Sequence, residues 1–151
     1  MSLGDNPSTV LTSAKDYFNE GFKRFRHNQF PEALEAFEQA LELEKNNGLY
    51  MTFYGYLLFL VDPERRDQSE ELLRAAVKSG HRQALPDAHL FLGQILKLKG
   101  KIEHAHKHFE LALALNPGSI EAKRELRLAE MRQKDNGGGD KPGFLKNLFK
   151  K

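Results

Sequence analysis

The pattern closest to a ligand pair is "HAHKH", where His104 and His108 stand four residues apart. On a helix that spacing puts both imidazoles on one face, where they can chelate a metal once a third donor converges. The neighbouring Glu103 and Glu110 are ordinary helix residues on what reads as a solvated side, so no metal is expected. Catalytic chemistry has less to work with. The absence of cysteine removes thiol nucleophiles, thiolate ligands and disulfides together. No paired carboxylates stand on an apolar background, and no Ser/His/Asp set or phosphate loop is present. The glycines at 137–139 follow no strand and read as a linker. The sequence therefore predicts neither an enzyme nor a bound cofactor.

What remains is surface and the elements that carry it. At 151 residues the chain is one domain, with 40% hydrophobic residues, enough to bury a core. Its net charge of +2 is too small to argue for nucleic acid. That charge is unevenly placed: Lys134 to Lys151 holds five lysines against Asp135 and Asp140, a net +3 that leaves the rest at −1. The N-terminus has no basic start followed by an apolar run, so no signal peptide is read there and a cytoplasmic location is expected. Against this charged background, "LYMTFYGYLLFLV" from Leu49 to Val61 carries no charge at all. The run is too short to cross a bilayer, which takes about 20 residues. A helix apolar on every side must be covered on every side.

Apolar residues recur at helical spacing nearly throughout, and no stretch alternates long enough for a sheet. The first helix is expected to start at Ser13, capped by its hydroxyl while Asp16 reaches back. Breaks follow at "RHNQF", "EKNNG", "VDPERRD", "KSGHRQALP", "LKGK" and "LNPGS", leaving helices of roughly a dozen residues in antiparallel pairs. The chain also repeats itself. Phe30–Asn47 aligns with Ile102–Ser119, so that Ala33, Phe37 and Ala40 match Ala105, Phe109 and Ala112, and Gly21 matches Gly93.

These residues resemble the tetratricopeptide repeat, a helix–turn–helix unit of about 34 residues. His89, Leu92, Gly93 and Leu96, with Gly100 at the turn and Pro117 closing the unit, fit the family pattern; Tyr17, Glu20, Gly21 and Arg24 fit it less fully. A middle copy places Met51, Tyr54, Gly55 and Leu58 at the signature positions and Ser69, Leu73 and Ala76 in its second helix, with two extra residues in the turn between. The resemblance implies an all-α fold, a short right-handed superhelical solenoid of antiparallel pairs over 13–134 that ends in a polar capping helix. A flexible segment at 1–12, a Gly-rich linker at 135–143 and a basic tail at 144–151 flank it.

In this family the first helices of successive pairs line a groove that takes peptide segments of other proteins. Carried over residue by residue, that face comprises Phe18, Phe22, Phe25 and Arg26 from the first helix, Thr52, Phe53, Tyr56 and Phe59 from the middle one, and Leu90, Phe91 and Gln94 from the last. Some members grip a C-terminal carboxylate here with lysine, arginine and asparagine. The corresponding positions are Phe18, Phe22, Phe53, Leu90 and Gln94, so no cationic clamp is expected. Lys15, Arg26 and Lys97 are too scattered to track a phosphate backbone, so no nucleic-acid partner is expected either. The expected function is an adaptor that binds an apolar or amphipathic protein segment. The tail "FLKNLFKK" spaces Phe144, Leu145, Leu148 and Phe149 for one helical face, with lysines elsewhere. It offers three alternatives: docking into its own groove, pairing with a second copy as a homo-oligomer, or weak contact with an anionic membrane.

Overall fold

Ser13 opens the first helix as its sequence predicts. The Asp16 backbone N–H donates to the Ser13 hydroxyl at 3.1 Å, and the Ser13 N–H donates to the Asp16 carboxylate at 3.2 Å. Two of the four N–H groups left open at a helix start are thereby satisfied. The computed structural model describes residues 10–136. Within them lie seven α-helices and no strand: α1 (Ala14–Arg26), α2 (Phe30–Leu43), α3 (Gly48–Val61), α4 (Arg66–Ser79), α5 (Leu85–Leu98), α6 (Ile102–Leu115) and α7 (Ile120–Asn136). They stack as the all-α solenoid expected, each packed chiefly on its neighbours in sequence. No described helix is long and apolar enough to cross a membrane.

The turns explain the pairing. After α1 the chain passes through Asn28 at φ 59°, and after α5 through Gly100 at φ +81°. In each case the following N–H reaches back to close the helix, Gln29 to the Arg24 carbonyl at 2.9 Å and Lys101 to the Leu96 carbonyl at 2.8 Å. One left-handed residue thus turns the chain sharply enough for the next helix to lie antiparallel. The α3–α4 turn is built differently. Asp62 caps it through the Glu64 N–H at 3.1 Å, and Pro63–Arg65 forms a 3-10 turn.

Inside each pair the glycine sets the approach. A Cβ on Gly21 would stand 2.5 Å from the Phe37 ring, and one on Gly93 would stand 2.6 Å from the Phe109 ring. Around those rings Ala33, Ala40, Ala105 and Ala112 are buried, so ring and backbone pack directly. The middle pair closes on leucine instead, with Leu72 and Leu73 lying 3.2 and 3.3 Å from where a Gly55 Cβ would be. Ser69, Leu73 and Ala76 are buried there. The uncharged run forms α3, where ten of fourteen residues are buried; α2, α4, α1 and α5 surround it. At the other end α7 buries only Ala122 and Glu125, presents a polar outer face and continues past Lys134 to Asn136.

Candidate functional site

The first helices of the pairs, α1, α3 and α5, lie side by side and meet through rings. Phe53 on α3 sits at the centre, edge-on to Phe18 at 5.6 Å, Phe22 at 5.6 Å, Phe25 at 6.4 Å and Phe91 at 5.7 Å. Phe22 stacks on Phe25, and the Arg26 guanidinium lies 5.4 Å above the Phe22 ring. Phe91 stacks on Tyr56 at 3.9 Å and 11° between planes. Edge-to-face and offset-stacked pairs are the geometries that aromatic quadrupoles favour. The result is one aromatic row across three helices.

The row divides the expected groove residues into two groups. Phe18, Phe22, Phe25, Tyr56, Phe91 and Gln94 are half-buried, and Arg26 is exposed. Phe53 and Leu90, expected to line the groove, are instead core, 9% and 7% exposed, while Phe59, 2% exposed, reaches the surface only as a wall of the small pocket beside Tyr56. Phe53 is closed over by the rings of α1 and α5. Phe59 packs within the cluster of Leu73, Leu92 and Ile95, with the Arg66 guanidinium over its ring at 4.5 Å. Thr52 is also fully buried, and its hydroxyl donates to the Gly48 carbonyl at 2.7 Å. The run on α3 is therefore covered on most of its surface by the protein itself. The tail residues Phe144, Leu145, Leu148 and Phe149 lie outside the described residues.

Beside Tyr56 the face deepens into a pocket of about 180 Å³ between α3, α5 and α7, lined by Tyr56, Leu60, Gln94, Lys97, Leu98 and Glu125 among others. The ammonium of Lys97 donates to the buried Glu125 at 2.6 Å and ties α5 to α7. Gln94 Oε1 is buried and unpartnered within the described residues. Burial pushes the Tyr56 phenol above its usual range, and the Glu125 carboxylate adds to the shift. Burial likewise raises the Asp87 carboxyl, with Glu121 adding to it. An apolar floor with a few convergent polar atoms is the common make-up of a ligand site. A larger hollow of about 650 Å³ between α6 and α7 is walled by exposed charged side chains such as Glu103, Lys107 and Glu130, with no phenylalanine or tyrosine. It has the character of a gap at the end of the stack.

A model of the tetratricopeptide repeat family matches residues 14–47 and 86–119, the two copies that the sequence repeat had paired. This is a tetratricopeptide-repeat domain. The match leaves out the middle copy, whose helices pack on leucine. By sequence, no curated protein matches. Among solved structures, the first TPR domain of Spaghetti (RPAP3) bound to the HSP90 peptide SRMEEVD is 21% identical. It is covered to 98%, against 84% of this chain, at a TM-score of 0.67. The TPR domain of Sgt2 from Aspergillus fumigatus is 18% identical with a TM-score of 0.69, covering 85% of this chain and 84% of that one. The Arabidopsis OM64 TPR domain, 18% identical, has the same TM-score over 80% of this chain and 96% of that one. At these identities the likeness is one of fold.

In the third repeat the histidines pair in a way the four-residue spacing did not anticipate. His108 meets His89 on α5, Nδ1 to Nδ1 at 3.0 Å, with ring centroids 5.2 Å apart. His104 is exposed. At that distance one Nδ1 carries a proton that the other accepts, so the accepting ring is neutral. Burial lowers the affinity of His89 for a second proton. Burial, then His89, Arg74 and His104, bring His108 down to about 4. No group of three or more metal-ligating side chains occurs among the described residues. The signal for this pair lay in His89 itself: it occupies the bulky signature position of its repeat, which points at the second helix.

Proposed function

We propose that the domain is a non-enzymatic adaptor whose aromatic face docks an apolar or amphipathic segment of another protein in the cytoplasm. The reading rests on the half-buried row of Phe22, Phe25, Phe91 and Tyr56, which continues into the Tyr56–Gln94 pocket. Stacked rings on a rigid helical surface offer contact area with little side-chain entropy to lose on binding. The rings keep part of their surface open where Phe53 does not, so the binding contribution is assigned to them. The RPAP3 domain holds an acidic peptide, SRMEEVD. Here Phe18, Phe22 and Leu90 occupy the positions where a carboxylate clamp would need cations or amides, so the preferred segment is apolar or amphipathic rather than an acidic tail.

Peptide-display selection against the full chain, followed by calorimetry of the recovered peptides, tests this. Peptides carrying aromatic or leucine anchors are expected, and Phe22→Ser and Tyr56→Ser should each weaken them at least tenfold while the fold persists. Recovery of no peptide, or binding unchanged in both variants, would sink the reading.

A further inference from the structure

We propose that in the free protein the groove is occupied by the chain's own C-terminal segment, Phe144–Lys151. The inference rests on the groove being a docking site and names its resident.

Chemistry is the first argument. Asp87, Phe91, Gln94 and Leu98 are spaced at i, i+4, i+7 and i+11 on α5, so they follow one face. That face is acidic at its start, where the half-buried Asp87 has no ion-pair partner among the described residues and Glu121 of α7 adds a second negative charge. It is apolar at its end, where Leu60 and Leu98 rim the pocket at 41% and 67% exposed. The segment "FLKNLFKK" has four large apolar residues for the pocket and rings, and three lysines for the carboxylates. The complementarity holds for the whole chain as well, a +3 end against a −1 remainder.

Reach is the second argument. Eight residues lead from Asn136 to Phe144, a span of up to about 27 Å when extended. Glu125, which borders the pocket, stands eleven residues back along α7, about 16 Å at the helical rise. The linker is long enough to return the tail to the pocket and short enough to keep it at high local concentration. A partner would then bind by displacing the tail.

The chain has no cysteine, so Asn147→Cys gives a single site for a nitroxide on the full-length protein. Broadening of the Tyr56, Phe91, Gln94 and Leu98 amide resonances is expected, independent of protein concentration and reduced several-fold by salt or by Asp87→Asn with Glu121→Gln. The inference is overturned by a silent groove, by broadening only between spin-labelled and isotope-labelled molecules, which marks a second copy, or by tail ordering only on anionic vesicles. A full-length variant with Phe144, Leu148 and Phe149 changed to serine separates the two levels. It should bind displayed peptides several-fold more tightly than the unmodified chain. Peptide binding beside a silent tail removes this inference alone; no peptide binding by either form removes the groove reading too.

Discussion

Phe53→Ala removes the ring that four others meet edge-on and that Phe37 approaches at 6.0 Å. Truncating a buried phenylalanine costs about 3–5 kcal/mol, the spread reflecting how far the site can collapse. Collapse is hard here because the cavity walls belong to three repeats. The edge-on contacts, worth roughly 0.5–1.5 kcal/mol each beyond area but not additive, push the value toward the upper end. A loss of about 4–5 kcal/mol corresponds to a fall in Tm of roughly 15–20 °C for a domain of this size. Since each repeat leans only on its neighbours, the loss should also decouple the first repeat from the third and lower the slope of a urea transition. Far-UV circular dichroism in urea measures both quantities. Tyr56→Ala serves as the half-exposed comparison, expected at about 1–2 kcal/mol. A loss below about 1.5 kcal/mol for Phe53→Ala, with the slope unchanged, would refute the claim that rings of α1 and α5 close over this residue.

Gly93→Ala should cost about 1–3 kcal/mol, because its Cβ would stand 2.6 Å from the Phe109 ring; adding Phe109→Leu to the variant should recover part of that loss. Stability should fall as pH is lowered from about 7 toward 4. The unfolded histidines take up protons near 6.5 while folded His108 resists down to about 4. Below that value the contribution is gone. His108→Gln should flatten this slope relative to the unmodified protein when urea midpoints are compared across that range. An acidic peptide ending in EEVD should show no saturable binding by calorimetry, since cations do not stand at the Phe18, Phe22 and Leu90 positions.

The repeat was legible because the contact behind it is local. Gly21 with Phe37, and Gly93 with Phe109, lie within one helix pair, where spacing alone decides which residues meet, and the Ser13–Asp16 cap is closer still. The middle copy was read correctly at Gly55, Ser69, Leu73 and Ala76 even though it packs on leucine, since helix order and turn positions carried it. Phe53 and Leu90 are core rather than groove for the opposite reason. Spacing gives the direction a residue leaves its own helix, whereas burial of Phe53 depends on how far rings of other repeats extend over it. The His89–His108 contact bridges nineteen positions, which the four-residue spacing of His104 and His108 does not encode.

The stack of Phe91 on Tyr56 joins two repeats, so its geometry changes whenever the superhelix tightens or opens. A ring 3.9 Å away and nearly parallel shields the tyrosine's aromatic protons strongly. The chain contains four tyrosines, few enough for the displaced tyrosine signal to be assigned. Tyr56 is thus a built-in gauge of curvature: its chemical shift would report the pitch of the solenoid, and any flexing under load, without a label.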